Sequence, residues 1–229
     1  QYGAYSEADA SRFIKEAASA IAFLHGVGVV HSDVKPENVM LSSSSKKDGS
    51  VKIVDFGCAH LIDEDTTTSS SSKGRKNHHH QHRGTGLTPA YCPPEIVSHL
   101  KNNPGEHASI EPSFDMWSLG VIMYIILTGA HPFDLAGDAD ADTMAHNILN
   151  QTLPIRNHSR TAHLSEDALN LLERLMERDA TKRMTAAELL ETDWVRGKTA
   201  SSSLIKGSDR RLAEYRRHQT KIGSSIFKG

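Results

Sequence analysis

Two cysteines, Cys58 and Cys92, are all that 229 residues supply, too few for the disulfide framework of a small secreted scaffold. Reduced thiols inside a cell are the expectation. Long apolar runs are lacking too. The longest nearly unbroken one, Leu119 to Leu127, has nine positions including Gly120, about half of what a bilayer-crossing helix needs. No membrane span is expected. Gly and Pro, at 16 and 8, are too few for a collagen-like or wholly disordered chain. Gln1 stands where Met is usual, and no basic-then-apolar leader follows, so the expectation is a processed or truncated chain, intracellular and cytoplasmic.

A strong net charge is also missing, at −2, but the balance is uneven. Residues 1–195 carry 17 Lys+Arg against 26 Asp+Glu, and residues 196–229 carry 9 against 2. An acidic body precedes a basic tail. Within that tail, DRRLAEYRRHQTKI (Asp209 to Ile222) has the composition of a loose basic helix for calmodulin or another acidic partner, or for covering the substrate groove. Its apolar positions, Leu212, Tyr215 and Ile222, are few. The tail is therefore read as a terminal helix packed on the acidic body or as partly disordered, and no nucleic-acid partner is expected.

What is present is mostly helical. Ser6 followed by Glu7 and Asp9 reads as a capping signal, and Ala10, Phe13, Ile14, Ala17, Ile21 and Leu24 recur at helical spacing up to Gly26. Short β-branched pieces follow at Val29 and Val30, Val39 to Leu41, Lys52 to Val54, and Leu61 with Ile62. Helical patterns return at Asp115 to Thr128, ending on Gly129, then at Thr143 to Asn150 and after Ser165, and Thr185 with Glu188 caps a last short helix. Three polar tracts, Ser42 to Ser50, Thr66 to His82 and Ser201 to Ser208, hold too little apolar surface to offset ordering entropy and read as mobile loops.

The chemistry gathers after the first strand. His31-Ser32-Asp33-Val34-Lys35-Pro36-Glu37-Asn38 sets a carboxylate, an amine and an amide at offsets 0, +2 and +5, and Asp55-Phe56-Gly57 follows Asn38 at a distance of 17 residues. A carboxylate beside an amide supplies oxygen ligands for magnesium, which binds few protein groups and completes its shell with phosphates. A second carboxylate held off the metal can orient a hydroxyl. Phosphoryl transfer needs these parts, because its transition state is stabilised by positioning and charge.

With HSDVKPEN, DFG, LTPAYCPPE, SFDMWSLGVIMYIILTG and RDATKRMTAAELL in this order, the sequence resembles the eukaryotic protein kinase family. The resemblance implies a kinase-like C-terminal lobe, mainly α, with small β-hairpins carrying the catalytic and metal-binding loops. It covers residues 1–195, with an activation segment at 55–95 that holds a low-complexity insertion at 64–83, and leaves 196–229 as tail. It implies that Asp33 handles the substrate hydroxyl, that Lys35 contacts the transferring phosphate of ATP, and that Asn38 and Asp55 hold Mg2+. Lys35 with Thr88 marks the serine/threonine branch, with a protein as substrate. The resemblance further implies a Glu95–Arg183 ion pair, an Asp115 brace under the catalytic loop, and packing of His31 on Phe56.

Some family parts are missing. No Gly-rich phosphate loop, strand lysine or partnering helix glutamate precedes His31, so this chain alone is expected to be inactive, and a non-catalytic kinase-like binding or scaffolding module is the alternative reading. Ser32 stands where many relatives have Arg, so loop phosphorylation is not expected to be the main on-switch. Pro93 replaces a usual alanine within the same turn. His78, His79, His80 and His82 offer imidazoles to a transition metal, but no cysteine or carboxylate stands at ligand spacing, and the tract reads as low complexity.

Overall fold

A computed structural model of the chain describes residues 5–42, 50–62, 87–106 and 108–226, with 218–226 as backbone alone. Its centre is a helix apolar on every side. α3 (Ser113–Thr128) buries 14 of its 16 residues, so it cannot lie at a surface and other elements must wrap it. α1 (Glu7–Gly26) covers it with Ala10, Ile14, Ala17, Ala18 and Ile21. α5 (Glu166–Leu175) passes so close that a Cβ on Gly120 would stand 2.8 Å from Met176 Cγ and 2.9 Å from Leu175 Cβ. Only glycine fits there. The helix stops at Gly129, whose left-handed φ of 73° returns its N–H to the Ile125 carbonyl at 2.8 Å.

Local chemistry sets the other boundaries. Ser6 and Asp9 form a reciprocal capping box at the start of α1, as do Thr185 and Glu188 at α6 (Ala186–Glu191). Ser165 caps α5, and Asp140 caps α4 (Ala141–Asn150) by accepting from the Thr143 N–H. α4 thus begins two residues earlier than its periodicity suggests. α2 (Pro94–Asn102) is not foreseen by the sequence reading, although Pro94 occupies the favoured first helical position and Ile96 and Val97 bury its inner face.

Four short strands pair two by two. β1 (Val29–Val30) runs antiparallel to β4 (His60–Leu61), with Val29 opposite Leu61. β2 (Val39–Leu41) runs antiparallel to β3 (Val51–Ile53), with Val39 opposite Ile53. The last two elements lie one residue before their expected positions, a shift that two- and three-residue strands tolerate. The ladders fix two loops: residues 31–38 connect β1 to β2, and Asp55 lies between β3 and β4.

The serine-rich stretch 201–208 is not loose. Ala8 N–H donates to Ser201 O at 3.0 Å, Ile205 N–H to Tyr5 O at 2.8 Å, and Tyr5 N–H to Ser208 Oγ at 3.0 Å, while Ile205 is buried. The N-terminal flank of α1 supplies the partners and the apolar contact that composition alone does not reveal. α7 (Ser208–Ile226) follows, with Leu212 and Tyr215 partly buried against the body. Most of the Ser42 to Ser50 tract and the whole Thr66 to His82 tract with its histidines lie outside the described residues.

Candidate active site

The 31–38 loop hangs from one buried carboxylate. Asp115, in the first turn of α3, accepts the His31 N–H at 2.9 Å and His25 Nε2–H at 2.9 Å on Oδ2, and the Ser32 N–H at 2.8 Å on Oδ1. It is fully buried, so these three donors are what permits its charge there. The two amides hold Ser32 in a left-handed conformation, φ 64°, which turns the chain toward Asp33. His31 Nδ1 accepts the Asp33 N–H at 3.3 Å and Nε2 lies 3.0 Å from Val54 O, which fixes a neutral ring protonated on Nε2. The same ring meets Phe56 edge-on at 5.0 Å between centroids. One imidazole therefore ties the two loops together.

Four of the five residues singled out from the sequence converge. Asp33 Oδ2 lies 2.6 Å from Lys35 Nζ and accepts Asn38 Nδ2–H at 2.9 Å, and Asn38 also donates to the Asp33 backbone oxygen at 2.9 Å. Thr88 Oγ1 donates to Asp33 Oδ1 at 2.6 Å and accepts from Lys35 Nζ at 2.9 Å. Asp33 and Asn38 are buried, which strengthens these charge-assisted contacts.

Asp55 stands beside this cluster. The Val54 N–H donates to Asn38 O at 2.9 Å, extending the β2–β3 ladder and setting the next residue against Asn38. Its backbone is left-handed, φ 65°, and its exposed carboxylate accepts the Gly57 N–H at 3.3 Å. No hydrogen bond joins that carboxylate to the other four side chains. The two acids are nonetheless neighbours of Cys58, whose thiol is pushed up by burial first and by the charges of Asp33 and Asp55 second. Burial likewise pushes the Cys92 thiol up to about 12. Both cysteines are free thiols, protonated at neutral pH and poor nucleophiles.

Beneath the site, Glu95 and Arg183 pair through two bonds of 2.8 and 3.0 Å. Arg183 also donates to Ser113 O and Glu177 O and lies 5.1 Å from the Trp117 ring centre. The Thr88 to Cys92 turn has further anchors that the sequence reading missed. Ser118 Oγ donates to Tyr91 O at 2.8 Å, and His131 Nε2 lies 3.0 Å from Ala90 O. His131 Nδ1 accepts the Phe133 N–H, and burial lowers its pKa to about 4. The signal for this histidine was its place directly after the Gly129 helix stop, where a chain returns to the core. No group of three or more His, Cys, Asp or Glu able to hold a metal occurs among the described residues.

A family model described as protein kinase domain matches residues 1–195. The chain belongs to the protein kinase family. Its relatives include the serine/threonine-protein kinase PKZ1 of Phytophthora infestans, 32% identical over 208 residues, covering 85% of this chain and 46% of the relative. Calcium/calmodulin-dependent protein kinase type IV of Rattus norvegicus is 32% identical over 214 residues, covering 93% and 40%. Death-associated protein kinase 2 of Mus musculus is 30% identical over 202 residues, covering 88% and 47%. The chain thus spans about half the length of the curated relatives it matches. Among the described residues of this kinase domain the helices dominate and the strands form two small antiparallel ladders. No helix among the described residues is long and apolar enough to cross a membrane.

Proposed function

We propose that this chain is the catalytic half of a serine/threonine protein kinase, passing the γ-phosphate of ATP to protein Ser and Thr hydroxyls. One observation carries the reading: the Thr88 hydroxyl sits on Asp33 Oδ1 at 2.6 Å with the Lys35 ammonium 2.9 Å away. Alcohol, carboxylate and cation are already in the arrangement that phosphoryl transfer requires. A carboxylate offers about four lone-pair positions. Lys35, Asn38 and Thr88 use three at Asp33, and the fourth, on Oδ1, is the place for a substrate hydroxyl. Asp33 orients that hydroxyl and takes up its proton, while Lys35 neutralises charge on the transferring phosphate.

The donor chemistry fits magnesium. Asn38 commits Nδ2 to Asp33, which leaves its amide oxygen free on the opposite side of the group, and the exposed Asp55 carboxylate, one residue after the Val54 that pairs with Asn38, accepts the Gly57 N–H. Two hard oxygen ligands, with phosphates to complete the shell, make up the kind of site this ion uses. Bound there, the ion would supply charge neutralisation between the phosphates of the nucleotide.

The lower-lobe assignment is supported by exposed apolar surface. Among the described residues, six of the seven exposed large apolar side chains, Phe23, Val27, Met40, Leu41, Phe56 and Leu61, belong to the segment that carries both loops. That surface is where a nucleotide-clasping portion would rest. One relative is named for calmodulin dependence. A calmodulin-type partner of the tail has to compete with the body for Leu212 and Tyr215, which already pack against it.

The test is phosphotransfer from labelled ATP to peptides bearing Ser, Thr or Tyr, by this chain and by a longer product of the same reading frame. Transfer to Ser and Thr by the longer product, lost in Asp33→Asn, is expected, with no turnover by the 229-residue chain. Unimpaired turnover in Asp33→Asn would overturn the assignment.

A further inference from the structure

The tail helix reaches the turn that carries Thr88. α7 begins at Ser208, which is fully buried and accepts the Tyr5 N–H at 3.0 Å. One turn later its backbone presses on the stop of α3: a Cβ on Gly129 would stand 2.3 Å from Arg211 Cβ and 3.0 Å from the Arg211 carbonyl carbon. A seat this tight fixes the rotation of α7. That rotation brings the Tyr215 phenol 3.0 Å from the Tyr91 phenol. Tyr91 is buried, and its N–H closes the turn back to Thr88 O at 3.0 Å, while Cys92 N–H reaches Pro89 O at 3.1 Å. Thr88 is the residue whose hydroxyl rests on Asp33.

We infer that α7 is a brace on the Thr88 to Cys92 turn, with Tyr215 a positioning residue that acts on Thr88 and Asp33 through Tyr91. Two hydroxyls at this distance form one neutral hydrogen bond, so the coupling is modest, in the range of a single net bond. It is also reciprocal: whatever steadies the turn steadies the docked helix, and releasing the helix loosens the turn by the same factor. A helix with so polar a composition has little stability when undocked, so the brace exists only while its seat on Gly129 and its phenol contact hold. The consequence for catalysis rests on the kinase reading above, whereas the coupling itself does not.

Amide hydrogen exchange on the intact 229-residue chain tests the coupling without any turnover. Tyr215→Phe removes one hydroxyl and keeps the ring. Faster exchange by about 2- to 10-fold is expected both at the Tyr91 and Cys92 amides and across 208–217. Tyr91→Phe should give the same two changes, and the double variant no more than the larger single one. Faster exchange in the tail with the Tyr91 and Cys92 amides unchanged would overturn the inference, as would no change at either place. Additive effects in the double variant would do so as well, since they would mean that the two phenols act independently. Failure of the kinase reading would appear in the phosphotransfer assay and leave these exchange rates untouched.

Discussion

Replacing Asp115 by Asn is the sharpest test of how the catalytic loop is held. The carboxylate accepts three N–H donors, two from the backbone of His31 and Ser32 and one from His25, in a site closed to water. An amide is almost isosteric, so no cavity forms, but one oxygen becomes an NH2 group that cannot accept. With nitrogen at the Oδ1 position the Ser32 N–H is orphaned, and with nitrogen at the Oδ2 position the His31 N–H is. Charge-assisted bonds weaken to neutral ones, and one buried donor loses its partner, costing about 1–3 kcal/mol for the orphan alone. The sum is about 3 kcal/mol, a large share of a stability of roughly 5–15 kcal/mol. For a chain of this size that lowers Tm by roughly 6–12 °C. Calorimetry gives the shift, and exchange at the His31 and Ser32 amides shows where the loss lies. A variant melting within about 1 °C of the parent, with both amides still protected, would refute the argument that this carboxylate holds Ser32 in its left-handed turn.

Three further outcomes are expected. Arg183→Lys should lower the urea midpoint by the equivalent of about 2 kcal/mol or more, because one ammonium cannot reproduce the fork to Glu95, the bonds to Ser113 and Glu177 and the contact with Trp117. His131 is held neutral in the fold with its pKa lowered to about 4, against 6.5 when unfolded. The unfolded chain therefore binds the proton first, and up to about 3 kcal/mol of stability should be lost as pH falls from 6.5 to 4, levelling off below. Urea unfolding at several pH values should show that loss, and His131→Gln should reduce its slope. Gly129→Ala combines a left-handed φ with a collision against Arg211, so α7 should leave its seat, and trypsin should cut at Arg210, Arg211, Arg216 and Arg217 faster than in the parent.

Much of the site was legible because its residues are close in sequence. Asp33, Lys35 and Asn38 share one loop, and the turn that joins them is local. Thr88 is 55 residues from Asp33, and the resemblance rather than any spacing brought it in. The helices α1 and α5 carried caps and periodicity that the sequence states openly, α6 a capping box, and α3 an apolar run stopped by Gly129. α2 escaped because nine residues with only Ile96 and Val97 buried on the inner face beyond the opening proline give a weak pattern. The anchoring of 201–208 escaped for another reason: its partners, Tyr5 and Ala8, lie at the other end of the chain, and no composition rule encodes a long-range backbone bond. His25, Ser118 and His131 act through single contacts to residues distant in sequence, and only three-dimensional packing reveals them.

Glu7 has a consequence for how this polypeptide matures. Its buried carboxylate accepts from Ser165 N–H and Oγ, and from Trp194 Nε1 at 2.9 Å, a partner 187 positions later in the chain. On a ribosome, about 10–40 s of elongation separates the emergence of the first from that of the last. Throughout that interval the acid must stay hydrated, and the Ile14 and Ile21 side of the opening helix has no finished core to enter. Closure of this part of the fold therefore waits for the emergence of Trp194, and a nascent chain halted before it should be a ligand for holdase chaperones.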